Sequence, residues 1–295
     1  MKLTIEGLSL NYGQRVAVRD VSFEIEAGEM VAIVGPNGSG KSTLLRGIAR
    51  LQKPSHGRVL LGETDIRSLG ARQVARHLAI LPQAPDGGAD LSVRELVYRG
   101  RFPHQGILQR ITAADTEAVA WAMGAADVTH LANRQLGSLS GGERQRAWIA
   151  LALAQQPKVL LLDEPTSFLD IAHQVEVMQL LRRLNGEGMT VLVVLHDLVL
   201  AGRFSDRVIA MRDGRVAFDG PPASVLEPSG LQEVFGIAMM VISDPETGLP
   251  IPLPRAEPRP CPVRSSPSDE QSQPAAVDLT ACVDFDGRSA DPARS

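Results

Sequence analysis

The nine residues Gly35-Pro36-Asn37-Gly38-Ser39-Gly40-Lys41-Ser42-Thr43 constrain this chain more than any others. They fit G-x-x-x-x-G-K-[ST], the pattern of a phosphate-binding loop. The unbroken apolar run Met30-Val-Ala-Ile-Val34 precedes them, as expected of a strand buried on both faces. Leu44, Leu45, Ile48 and Leu51 follow at helical spacing. A strand, a glycine loop and a helix in that order predict an α/β core with a parallel sheet. Gly35, Gly38 and Gly40 permit backbone angles that turn successive N–H groups into one concave nest for phosphate oxygens. The helix behind the nest adds its positive end. In this arrangement Lys41 reaches the β- and γ-phosphates and the Ser42 hydroxyl holds Mg²⁺. The loop implies a nucleoside triphosphate but does not separate a kinase, a GTPase and a transport motor.

Composition narrows the choice. With 295 residues, 44% hydrophobic and 22% charged, the chain can bury a full core in one large domain or two. A net charge of −4 gives no electrostatic case for nucleic acid. No apolar run approaches the roughly 18 residues needed to span a bilayer. Met1-Lys-Leu-Thr-Ile-Glu6 reads as a strand rather than a signal peptide, so a cytoplasmic location is expected. Cys261 and Cys282 are the two cysteines, and they lack companion ligands for zinc.

Alternating apolar residues at Leu3, Ile5, Leu8 and Leu10, then at Val16, Val18, Val21, Phe23 and Ile25, predict antiparallel strands ahead of the loop. Gly57–Gly62 and His77–Leu81 read as further strands, and about 88–156 as an inserted helical subdomain rich in Ala, Leu, Glu and Arg. Val159–Leu162 and Val191–Leu195 flank a helix from about Ile171 to Leu184, a βαβ arrangement. A hairpin is expected around Asp213-Gly214. Residues 1–243 thus read as one nucleotide-binding domain. Prolines at 245, 250, 252, 254, 258, 260 and 262, followed by Ser, Asp and Gln, predict a disordered tail over 244–295.

Val159-Leu-Leu-Leu-Asp163-Glu164 is an apolar strand ending in two acids. Beside a phosphate loop, Asp163 suits Mg²⁺ and Glu164 suits a base acting on the attacking water. Leu139-Ser140-Gly141-Gly142-Glu143 precedes another helix, with Ser140 as its N-cap.

With these residues in hand, the chain resembles the nucleotide-binding subunit of an ATP-binding cassette (ABC) transporter. That family's signature is Leu-Ser-Gly-Gly-Gln, from which this chain departs at Glu143. The resemblance implies a P-loop, RecA-like core carrying an antiparallel β subdomain and a helical subdomain. It implies ATP and Mg²⁺ as ligands. Tyr12 is then the aromatic that stacks on adenine, and Gln83 links the metal and the attacking water to the helical subdomain. Ser167-Phe-Leu-Asp170 matches the loop that communicates between subunits, and His196 the histidine that touches the γ-phosphate. Two subunits are expected head to tail, so that Ser140, Gly141 and Gly142 of one complete the site of the other.

Finer likenesses point to one branch. Tyr98–Gln105, Leu139–Ala150 and Thr166–Gln174 are similar to bacterial importers for iron chelates (ferric siderophores), with haem and vitamin B12 systems close by. This implies separate transmembrane permease subunits, docking on the region from Gln83 to His104, and indirectly a substrate-binding protein. His104 and His173 form no metal-ligand set. Chromosome-type cassettes insert a long coiled coil between loop and signature. Here Lys41 and Ser140 are 99 positions apart (140 − 41) and show no sustained heptads.

Overall fold

A computed structural model of the chain describes residues 1–83, 88–106 and 111–255. The chain opens with the long strands β1 (Leu3–Tyr12) and β2 (Arg15–Ile25), then β3 (Met30–Val34) and helix α1 (Lys41–Ile48). Next come β4 (His56–Leu61), β5 (Thr64–Asp65), α2 (Ala71–His77) and β6 (Leu78–Leu81). Helices α3 (Val93–Arg99), α4 (Ala113–Ala125) and α5 (Gly141–Ala154) form the helical insert. The core resumes with β7 (Val159–Asp163), α6 (Ile171–Gly186), β8 (Thr190–Val194), α7 (Leu198–Phe204), β9 (Arg207–Arg212) and β10 (Arg215–Gly220). Short helices α8 (Pro222–Val225) and α9 (Pro228–Phe235) lead to β11 (Met239–Ser243) and β12 (Pro250–Pro254).

Among the described residues the central sheet runs β10-β9-β3-β8-β7-β6. It is parallel from β9 to β6, with β10 antiparallel at one edge. Its middle strands are buried throughout because both faces are covered. Met30, Ala32, Val34, Leu160, Leu162, Val191 and Val193 face one apolar cluster, shared with the helical insert and α6. Val31, Ile33, Val159, Leu161, Leu192 and Val194 face the other, shared with α1 and the N-terminal sheet β2-β1-β4-β5. Side chains alternate across a strand, so a strand feeding two cores must be apolar at every position.

The helical insert is fastened by polar contacts as well as packing. Ser92, Thr112 and Ser140 cap α3, α4 and α5, each in a reciprocal box with Glu95, Asp115 or Glu143. Behind α3, the buried Arg101 donates to Asp115 at 2.9 Å and to the Ala154 carbonyl at 2.6 Å. This joins the ends of α3, α4 and α5.

The expected domain boundary at 243 needs correction. Residues 244–255 belong to the same unit as the core, which runs Met1–Arg255. Pro250, Pro252 and Pro254 lie on β12, paired with Ser243, Val241 and Met239. Alternate residues of a strand direct their N–H groups to the same side. Prolines at every second position therefore put all the missing donors on the outer edge, and the Arg255 N–H still reaches the Ala238 carbonyl at 3.0 Å. Asp244 turns the hairpin, accepting from the Glu246 N–H at 2.9 Å and from Arg203 at 3.0 Å. Residues 256–295, the rest of the expected tail, lie outside the described residues, as do both cysteines.

Candidate functional site

The loop leaves β3 and wraps over the start of α1. Gly35 and Gly40 both have positive φ, and a Cβ on either would sit 2.2 Å from the Met211 carbonyl or 2.5 Å from that of Ala17. Only glycine lets the backbone close here. Lys41 is buried and donates to the Gly35 and Pro36 carbonyls at 2.8 and 3.0 Å. Burial pushes its pKa down, against the pull of the nearby Glu164 and Asp163. A hidden ammonium resting on loop carbonyls is poised for an anionic ligand. The buried Ser39 hydroxyl has no hydrogen-bond partner among the described residues, a second sign that the loop is shaped for a group it does not itself supply.

A cavity of about 520 Å³ opens over the loop. It is lined by Asn37, Gly38, Gly40, Lys41, Ser42 and Thr43, with Tyr12 at its rim and Glu164 at its end. Tyr12 is half exposed and lines the cavity. Arg15, Arg19, Asp213 and Gly214 also line the cavity. The sequence reading did not place them at the site. In the sequence, Asp213-Gly214 reads only as a hairpin turn. Arg15 had no signal beyond its closeness to Tyr12.

The two acids at the end of β7 have separate partners. Asp163 accepts from the Ser42 hydroxyl at 2.8 Å, and burial raises its pKa above the usual carboxylate value. This pair offers hard oxygen ligands, which fit Mg²⁺. Glu164 stands in the left-handed region at φ 53°, where the regular strand ends. The His196 Nε2 lies 2.5 Å from its Oε1. Gln83 Nε2 donates to Oε2, and the Ser167 hydroxyl donates to the same oxygen at 3.0 Å. Residues just beyond the ends of β6, β7 and β8 and from the loop before α6 thus meet at one carboxylate.

Ser140, Gly141, Gly142 and Asp170 do not line this cavity. Ser140 caps α5, accepting from the Glu143 N–H at 3.2 Å, while Glu143 accepts from the Ser140 N–H at 2.8 Å. The departure from glutamine at this position is therefore used locally, in the cap. Asp170 caps α6 through the His173 N–H. His104 contacts the Gln155 carbonyl at 2.9 Å, a packing contact. No helix among the described residues is long and apolar enough to cross a membrane.

The model of the ABC transporter family matches residues 18–167, from β2 to the loop beyond Glu164. The chain belongs to the ABC transporter family. The ferric enterobactin transport ATP-binding protein of Escherichia coli (strain K12) is 44% identical over 254 residues, 86% of this chain and 94% of that protein. A solved metal-chelate type ABC transporter in an inward-facing conformation superposes with a TM-score of 0.76 at 27% identity, covering 86% of this chain and 98% of that one. A dimeric ATP-binding cassette bound to ADP and phosphate superposes with a TM-score of 0.65 at 31% identity, covering 75% and 98%. This ABC protein is accordingly an ATPase subunit.

Proposed function

We propose that this ABC subunit powers the import of an iron chelate of the ferric siderophore class. It would act at the cytoplasmic face of the membrane, beneath a separate permease that is fed indirectly by a substrate-binding protein. The carrying observation is the convergence of Gln83, Ser167 and His196 on Glu164, one residue beyond the Asp163–Ser42 pair. Likeness to the ferric enterobactin protein supports the cargo class.

In this reading ATP lies along the loop with adenine on Tyr12, and Lys41 exchanges its carbonyl partners for phosphate oxygens. Ser42, Asp163 and Gln83 would hold Mg²⁺, which would supply charge neutralisation on the phosphates. Glu164 orients the attacking water and accepts its proton. His196 fixes Glu164 and meets the γ-phosphate. The cavity is one half of a site. Ser140, Gly141 and Gly142 of a second copy close it, bringing the N-terminal end of α5 to the phosphate, and Asp170 lies at the same junction. ATP then favours the closed pair, and its hydrolysis releases it.

A groove of about 530 Å³ lined by Arg72, Phe102, Pro103 and Gln105 adjoins the stretch from Gln83 to His104 and is the proposed seat of the permease. The test is deletion of the chain, followed by uptake of radio-iron presented as siderophore chelates and as haem. Loss of siderophore uptake, restored by the parent chain and not by Glu164→Gln, is expected. Unchanged uptake of every chelate would overturn the cargo. Loss confined to haem would move the assignment to haem import.

A further inference from the structure

Helices α5 and α6 begin side by side, and one imidazole fills the gap between their first turns. His173, in the first turn of α6, donates from Nδ1 to Asp170 Oδ1 at 2.7 Å, and its backbone N–H reaches the same oxygen at 2.9 Å. Asp170 is thus held by both the backbone and the ring of one residue. These bonds to the carboxylate, the backbone one foremost, depress the Asp170 pKa. The far edge of the ring presses on Gly142. A Cβ at that position would lie 2.2 Å from His173 Cδ2, 2.7 Å from Cγ and 3.0 Å from Nε2. Here glycine is required by space, since Gly142 is not among the residues with positive φ. The contact continues on either side. A Cβ on Gly141 would meet Leu169 Cδ2 at 3.4 Å, and about one turn along Arg146 joins Glu176 at 2.9 Å.

We infer that His173 is a positioning residue that locks the Ser167–Asp170 loop to the Ser140–Gly142 turn, so that both meet a second copy of the chain as one piece. The inference rests on the composite site proposed above and says how its incoming half is kept in shape. The ring neither lines the nucleotide cavity nor contacts Glu164. It acts on geometry alone. The loop it steadies needs steadying. Phe168 holds φ 63° with its side chain 94% exposed, an arrangement that a bulky residue adopts only under surrounding constraint. A site completed across an interface tolerates little error in its second half, because misplacement of the order of 1 Å is enough to lose most of the benefit of orientation.

The test uses the full chain with Glu164→Gln, which keeps ATP from being consumed, and reads ATP-driven dimerisation by sedimentation alongside binding of a fluorescent ATP analogue to the single chain. His173→Ala is expected to weaken the dimer about tenfold, a coupling of ordinary size for residues in direct contact, with analogue binding unchanged. Gly142→Ala is expected to weaken the dimer when His173 is present and to add little once the ring has been removed. Melting temperatures of the four single-chain proteins should show the same non-additivity, which tests the contact without any dimer. Strictly additive effects, or a His173→Ala dimer as tight as the parent's, would overturn the inference. Absence of an ATP-driven dimer in the parent would instead overturn the composite site, and the melting series would still judge the contact.

Discussion

Glu164 illustrates how much chemistry one residue's surroundings decide. Its side chain is nearly buried, while that of His196 beside it is 43% exposed, so the cluster meets solvent chiefly at the histidine. Gln83 and Ser167 occupy one oxygen and His196 the other. Two donors on one oxygen and one on the other leave a carboxylate lone pair free to accept from a water, as the proposed base must. Glu164→Gln keeps the shape but replaces one acceptor oxygen with an NH₂ donor and removes the proton acceptor. Phosphate release is expected to fall by about 100-fold or more, the usual worth of a positioned base, while nucleotide binding measured by fluorescence stays within a small factor. A variant that hydrolyses ATP at the parent rate would show that another group takes the proton. The acid pair was legible from the apolar strand that ends in it. The left-handed backbone that aims Glu164 and the Ser167 contact were not, because torsion angles and loop approaches leave no trace in residue type.

Among the elements, the helical insert depends on a pair that sequence patterning does not reveal. Arg101 and Asp115 are both buried and satisfied by each other, by the α5 carbonyl of Ala154 and by the Thr112 cap. Burial alone would raise the Asp115 pKa, but the Arg101 and Thr112 hydrogen bonds outweigh it and bring it down to about 2. A depressed carboxylate pKa favours the folded state above the ordinary value of 3.8. That contribution is lost as pH falls toward 2. Asp115→Asn removes the charge and leaves a buried guanidinium without its counter-ion. Loss of about 3 kcal/mol is expected from breaking a buried pair in this way. In a chain of this size that is a fall in melting temperature of about 8 °C at neutral pH. The difference between parent and variant should shrink when melting is repeated near pH 3, and a constant difference across that range would exclude the ion pair as its source. Strands and loop were readable because burial on both faces demands apolar runs. The hairpin β11–β12 was not, since its prolines carry the composition of a disordered segment and only their spacing of two marks an outer edge.

At the scale of the whole molecule, each chain carries two half-sites of the nucleotide site in the proposed reading. The loop and Glu164 line one cavity, with Asp163 bonded to the loop's Ser42 and His196 to Glu164, while the Ser140–Gly142 turn and Asp170 do not line it. A two-fold pair of chains resolves this, because each half-site then faces its complement. Two inactive variants should therefore repair one another. Lys41→Ala disables the loop and leaves the turn intact. Ser140→Asp keeps an oxygen to cap α5 but sets a carboxylate where a phosphate would approach, and it leaves the loop intact. Each alone is expected to lose nearly all ATP hydrolysis. Mixed in equal amounts, half the pairs combine one of each, and each such pair holds one sound site and one doubly damaged one. If the two sites work independently, hydrolysis should recover to about a quarter of the parent rate, as two-fold symmetry dictates. Titrating one variant against the other should give a maximum at equal amounts. A mixture no more active than its components would mean that the loop and the turn serve the same nucleotide within a single chain, and the head-to-tail arrangement would have to be abandoned.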